Sequence, residues 1–359
     1  MGEPTRPDSN LPTDWQLNDT VTRLREWGTD RIYELPSQAG AWTIGASDDC
    51  DVQLRDLLRH TSRQHAWLTR DDATCTMTDA DSKNGLWLDN ARRQMFELAP
   101  GMEIGIGSLR LVAESPRTIA MRAFLARLIG WSAGRRRDVD RALRAVRMAA
   151  AHRAPLQLCG EGNVVAVAWS LHRRLFGEAA PFVVSVPDRS TQPQTRAHPG
   201  NLRELPRALE AAAGGTLCVW THRPPAGFAT AQLELACGTS ARLFACSQLT
   251  EDSPGPNSPW VSVMLTPLSQ RIDELDRLID DYAADAVAAL SAHSSSFTTD
   301  DRLWVRRRRP KTLDAIETMV MRVVAVRERQ TLSDAAAQLG ISHVALSRWF
   351  GRRARRSPG

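Results

Sequence analysis

Lysine and tyrosine are scarce in this chain: Lys83 and Lys311 are the only lysines and there are two tyrosines among 359 residues, so its positive charge is almost wholly arginine. A GC-rich genome alone produces that bias, so it excludes nothing. No apolar run approaches the 18 residues that a spanning helix needs, and no membrane segment is expected. The opening "MGEPTRPDSNLPTDWQ" has no apolar stretch of a secretory signal, reads as a disordered tail over 1–20, and points to a cytoplasmic protein. The six cysteines (Cys50, Cys75, Cys159, Cys218, Cys237, Cys246) never pair as C-x-x-C, so neither a zinc site nor any other metal is expected. Most lie in apolar strings such as "TLCVW" and "LFACS" and read as buried, reduced thiols.

An apolar fraction of 42% and a charged fraction of 24% are ordinary for globular protein, and the length suits two or three domains. The net charge of +5 hides an asymmetry. From Arg302 to Gly359, 14 Arg and Lys face 4 Asp and Glu, an excess of +10, so the rest of the chain carries −5. A basic end on an acidic body suggests a polyanion-binding tail.

Residues 21–117 alternate in short runs broken by turns, such as "AWTIG", "HAWLT", "CTMTD", "LWLDN" and "LRLVAE". That spacing predicts an all-β sandwich with Trp42, Ile44, Val52, Leu54, Trp67 and Leu88 on or near its core. Three loops stand out: "TIGASDDCDVQL", "HTSRQHAWL" and "DADSKNGLWLDN". Their order resembles the forkhead-associated (FHA) family, an 11-stranded sandwich that reads phosphothreonine, with a Gly-Arg turn, then S-R-x-H, then S-x-N-G. The resemblance implies that Ser62 and Arg63 bind the phosphate, that Asn84 grips the peptide main chain, and that Gly45 and Gly85 serve turns. His65 would brace the loops from within. The partner implied is a threonine-phosphorylated protein. Two positions depart from the family: Ala46 replaces the arginine and Leu86 the threonine after N-G. Losing one charged phosphate contact costs about 1.5–3 kcal/mol, one to two decades of affinity. Arg59 and His60 are the nearby groups that could replace it.

Residues 118–292 open with helical patterns and then alternate short apolar strands with helices, which indicates an α/β layer around a parallel sheet. Gly160-Glu161, His172, Pro181-Phe182, Gly214-Gly215-Thr216-Leu217, Arg242-Leu243 and Pro267-Leu268 fall in an order that resembles the AAA+ module of sigma-54-dependent activators. The chemistry of that module is missing. The glycine loop is about two residues short, Val164 stands near the lysine position, Trp220 and Thr221 replace the acidic pair, and Gln248 replaces the sensing asparagine. The loop that touches the sigma factor gives way to polar sequence over 186–205, and the small helical lid after about residue 290 has no counterpart. Neither ATP binding nor hydrolysis is expected, no cofactor is implied, and the chain is read as not an enzyme. Such an inert core would act as spacer and dimerisation surface, or as a partner-binding domain.

Residues 293–311 read as a basic linker, and 312–329 as an amphipathic helix with apolar positions Leu313, Ile316, Met319, Val320, Val323 and Val324. In "TLSDAAAQLGISHVALSRWFGRRARR" a cap at Thr331 or Ser333, an alanine pair, Gly340 and a helix from Ser342 make a helix-turn-helix over 312–359. This resembles the Fis-type domain that closes sigma-54 activators. The resemblance puts Ser342, His343, Ala345, Ser347 and Arg348 toward a DNA groove, Arg352 and Arg353 (with Arg355 and Arg356) against phosphates, and Leu346 with Trp349 or Phe350 in the packing. Double-stranded DNA is then the second partner, and helix 312–329 the dimer surface of a possible homodimer.

Two functions fit: a signalling transcriptional regulator with an FHA input, an inactive AAA+-like core and a DNA-binding output, or a phospho-dependent adaptor whose basic tail binds electrostatically.

Overall fold

The computed structural model describes residues 19–71, 74–185, 202, 204–220, 241–248 and 261–354. Two compact units divide the chain. One is Met1–Leu156 with Ser170–Ala180 and Pro254–Val263; the other is Gln157–Trp169 with Pro181–Ser253 and Met264–Gly359.

The first unit opens with eleven short strands in two sheets, as the alternation of the sequence requires. In spatial order one sheet is β2 (Ile32–Glu34), β1 (Arg23–Glu26), β11 (Leu109–Glu114), β10 (Glu103–Ile106), β7 (Leu86–Leu88) and β8 (Ala91–Arg93). The other is β4 (Val52–Gln53), β3 (Gly40–Gly45), β5 (Ala66–Arg70), β6 (Cys75–Asp79) and β9 (Met95–Glu97). Leu24, Ile44, Leu68, Met77, Leu86, Ile106 and Leu111 fill the space between them. Ile44, Val52 and Leu54 are buried as expected, and Trp42 and Leu88 pack at the edge of this core. Trp67 is not in it: the side chain is 41% exposed, because Ala66 and Leu68 take the inward positions of β5 and the pleat turns residue 67 out.

Two helices follow in the same unit, α1 (Pro116–Ile129), started by a Ser115–Thr118 capping box, and α2 (Arg136–His152). A buried ionic cluster ties α2 to the sandwich. Arg25 on β1 donates to Glu114 on β11 at 2.6 Å and, bidentately, to Asp140 on α2 at 2.7 and 3.0 Å. Removing Arg25 from so buried a set costs about 3–5 kcal/mol, since Glu114 and Asp140 each lose their closest counter-charge and keep only Arg23 and Arg122.

The α/β layer has strands β12 (Leu156–Cys159), β13 (Phe182–Ser185), β14 (Thr216–Trp220), β15 (Arg242–Ser247) and β16 (Val261–Met264) in the order β13-β14-β15-β12-β16. Pairing from β13 to β14 and from β14 to β15 is parallel, as the alternation of apolar strands and helices predicts. Helix α3 (Val164–Phe176) follows β12, and α4 (Leu205–Ala211) precedes β14.

Four more described helices lie in the second unit: α5 (Leu275–Ala289), α6 (Thr299–Arg307), α7 (Leu313–Glu328) and α8 (Leu332–Leu339). A fifth, α9 (His343–Ala354), ends the described chain. Helix α6 falls where a linker was expected. Thr298 and Asp301 form a reciprocal capping box there, and Val305 is fully buried. The apolar positions Ile316, Val320, Val323 and Val324 of α7 are also fully buried. Leu313 and Met319, the other two apolar positions of this helix, are half-buried.

Candidate phosphopeptide-binding site

The three loops singled out in the sequence meet at one end of the sandwich. The first, after β3, is held against the second by backbone bonds from Ala46 N–H to Ser62 O (2.9 Å) and Ser47 N–H to Arg63 O (3.0 Å). Gly45 makes this approach possible: a Cβ there would lie 2.0 Å from the Arg63 carbonyl oxygen.

His65 ties the second loop to the third. Its side chain is fully buried, and Nδ1 accepts the Ser62 N–H at 3.0 Å. That bond leaves Nε2 as the protonated nitrogen, which donates to the Gly85 carbonyl at 3.1 Å and lies 3.0 Å from Ser82 Oγ. Ser82 in turn donates to Asp79 at 2.6 Å and accepts the Gly85 N–H at 2.9 Å. Gly85 needs its glycine, with φ at +73°. Leu86, the residue after Asn84-Gly85, sits in the sandwich core, fully buried, and is given to packing.

Asp56, which the sequence reading passed over, organises the loop before Ser62. Its carboxylate accepts the N–H groups of Leu58 (3.0 Å), His60 (3.0 Å) and Thr61 (2.8 Å), the Thr61 hydroxyl (2.9 Å) and the Ser108 N–H (3.2 Å). The Ser108 hydroxyl also donates to it, from the β10–β11 turn. Partial burial alone would raise this carboxyl's pKa; the bonds from Ser108, Thr61 and Leu58 outweigh it and hold the group well below the usual carboxylate range. An aspartate five residues before a threonine, in the turn that leads to Ser62, was the available signal.

The fold thus brings Ser62, Arg63, Asn84, Gly45 and Gly85 to the same loop cluster. Ser62 Oγ accepts the Lys83 N–H at 3.2 Å, which leaves its own hydrogen to donate outward. Asn84 gives one amide hydrogen to the His60 carbonyl at 2.6 Å, leaving the other and its oxygen for a ligand main chain. Arg63, Lys83, Arg59 and His60 are exposed, and Arg59 holds a left-handed backbone with φ at +55°. Where an arginine would follow Gly45 stands the half-buried Ala46, and the exposed Asp48 and Asp49 come next. Lys83, counted in the sequence but assigned no role, is the unexpected cation here.

The second candidate surface lies on α8 and α9. Thr331 caps α8 by accepting the Asp334 N–H at 3.1 Å, and Gly340 ends it with φ at +64°. Ser342 caps α9 through the Ala345 N–H at 3.2 Å. Ala335, Ala336 and Leu346 are buried, and Trp349, not Phe350, is the aromatic anchor, packed edge-on to Trp304 at 5.6 Å. Ser342, His343, Ala345 and Arg348 are exposed and Ser347 is half-buried. Arg352 and Arg353 continue the helix, while Arg355 and Arg356 lie outside the described residues.

At the positions where the sequence resembled an ATPase module, Val164 begins α3 and is fully buried, Trp220 ends β14, and Gln248 follows β15. Thr221 and almost all of 186–205 lie outside the described residues. No helix among the described residues is long and apolar enough to cross a membrane.

The family model described as "Inner membrane component of T3SS, cytoplasmic domain" matches residues 27–116, about a quarter of the chain. No curated protein matches. Among solved structures, a phosphothreonine-dependent FHA domain is 29% identical over 27% of this chain and 97% of that one, with a TM-score of 0.24. The FhaA FHA domain, complexed with an intracellular domain, is 30% identical over 25% and 96%, with a TM-score of 0.23. Mycobacterium tuberculosis EmbR, complexed with a low-affinity phosphopeptide, is 28% identical over 27% of this chain and 24% of its own, with a TM-score of 0.24.

Proposed function

We propose, from an N-terminal segment that resembles an FHA domain, that this chain docks a threonine-phosphorylated protein and couples that docking to DNA binding by its C-terminal helices. The observation that carries the first half is a Ser62 hydroxyl left free to donate and a half-committed Asn84 amide, beside the exposed Arg63 in sequence, on loops pinned by His65 and Asp56. A phosphate there would take charge-assisted bonds from Arg63 and a hydroxyl bond from Ser62. Lys83 or Arg59 supplies the charge that Ala46 does not.

The second half is supported by a capped helix pair with a left-handed glycine corner and an exposed face carrying Ser342, His343, Ala345 and Arg348. With no ATPase chemistry, the chain would act on transcription by occupancy or recruitment, not by remodelling polymerase, and would be no enzyme. The adaptor reading has its own observation: Val344 is 55% exposed and Phe350 37%, apolar groups on α9 that would suit a protein partner.

Capture of genomic fragments by the full-length protein separates the two. Enrichment of a short motif, lost in Arg348→Ala, supports the regulator. Featureless retention that washes away with moderate salt supports the adaptor, since phosphate contacts alone carry no sequence information.

A further inference from the structure

Helix α3 begins directly after the turn Gly160-Glu161-Gly162-Asn163 that leaves β12. In an open α/β sheet this is where anions bind: beyond the carboxyl end of a strand next to a reversal of strand order, at the positive end of a helix. Strand β12 has that position, with later strands β15 and β16 on either side of it. The first turn of α3 holds no acidic residue of its own.

The position is filled from the chain itself. Asp314, in the first turn of α7, accepts the Asn163 N–H through Oδ1 at 3.3 Å. Gly162 has φ at +78°, and a Cβ on it would lie 2.1 Å from the same oxygen and 3.1 Å from Thr312 Cβ. The glycine therefore admits a carboxylate that any other residue would expel. Asn163 completes the closure by accepting the Ala166 N–H through its side chain at 3.1 Å.

We propose that Asp314 is an internal anion: it closes the β12–α3 turn against phosphate and latches α7, the helix leading into the α8–α9 pair, onto the parallel sheet. The lack of nucleotide chemistry expected from the sequence would then have a second cause beside the side chains, a turn already occupied. Because α7 precedes the exposed face of α9, opening the latch would change how that face is presented.

Hydrogen exchange on the full-length protein tests this, comparing wild type with Asp314→Ala and Asp314→Asn, each in inorganic phosphate and in sodium chloride of equal ionic strength. Amides of 162–166 should exchange roughly three- to tenfold faster in Asp314→Ala, the range expected for losing a charged cap. Phosphate should slow them again in that variant and leave wild type unchanged. Asp314→Asn, which keeps the shape and removes the charge, should also exchange faster, and serves if the alanine variant fails to fold. Wild-type exchange in both variants would overturn the proposal. So would acceleration that phosphate does not reverse, which would make the contact mere packing, or protection of the wild type by phosphate, which would show the turn open.

Discussion

Two turns in this molecule, one in each unit, are built around a glycine that admits a close neighbour, and they differ in what has been left free. At the sandwich loops, glycine and buried side chains bring donors together and then stop short of using them. Ser62 keeps its hydrogen, Asn84 keeps half its amide, and the Arg63 guanidinium is exposed. At the β12–α3 turn, the same device of a glycine beside backbone N–H groups is closed by Asp314. A scaffold for binding anions is thus weak evidence of binding; what decides is whether the chain supplies its own anion.

The harshest way to break the contrast is Gly45→Ala. Its methyl would meet the Arg63 carbonyl, a backbone atom that cannot swing aside, so both loops must shift. Phosphopeptide binding should vanish and the sandwich should lose about 1–3 kcal/mol or more in denaturant titration. Next comes Arg63→Ala, which should weaken phosphopeptide binding by about 10- to 100-fold, the worth of a charge-assisted contact. Thermal stability should not change, since the side chain is exposed. The reverse change sharpens the comparison: Ala46→Arg should strengthen binding by a factor within the same range of about 10 to 100. No gain in calorimetric titration would mean that Lys83 or Arg59 already does that work.

The smallest effect concerns acid. Asp56 is held below its unfolded pKa, so its contribution is present above that value of about 4 and is lost as pH falls toward the folded value. Amide exchange across 57–61 should therefore rise on acidification below about pH 4. Asp56→Asn should exchange fast at neutral pH and respond little to acid.

Much of the first turn was legible in sequence, because its chemistry lies in short strings: Ser62, Arg63 and His65 fall within four residues, Asn84 and Gly85 are adjacent, and strand alternation supplies the sandwich. Trp67 was misplaced because an apolar residue inside a strand looks like core unless its phase is counted against Ala66 and Leu68. The second turn was half legible. Its glycines and the helix after them could be read, but Asp314 lies 151 positions from Asn163, and nothing local marks it as a cap. The Arg25–Asp140 pair, 115 positions apart, was hidden for the same reason. Helix α6 was missed because its box, Thr298 to Asp301, sits in a polar string whose only buried anchors are a few residues such as Val305.

The most direct test is binding of the full-length protein to a degenerate phosphothreonine peptide library, its unphosphorylated twin and a phosphoserine version, by fluorescence anisotropy. Retention that needs the phosphate and falls at least about tenfold in Arg63→Ala is the predicted result. Equal binding of phosphorylated and unphosphorylated peptides, unmoved by that substitution, would contradict the account and leave the open turn as structure alone.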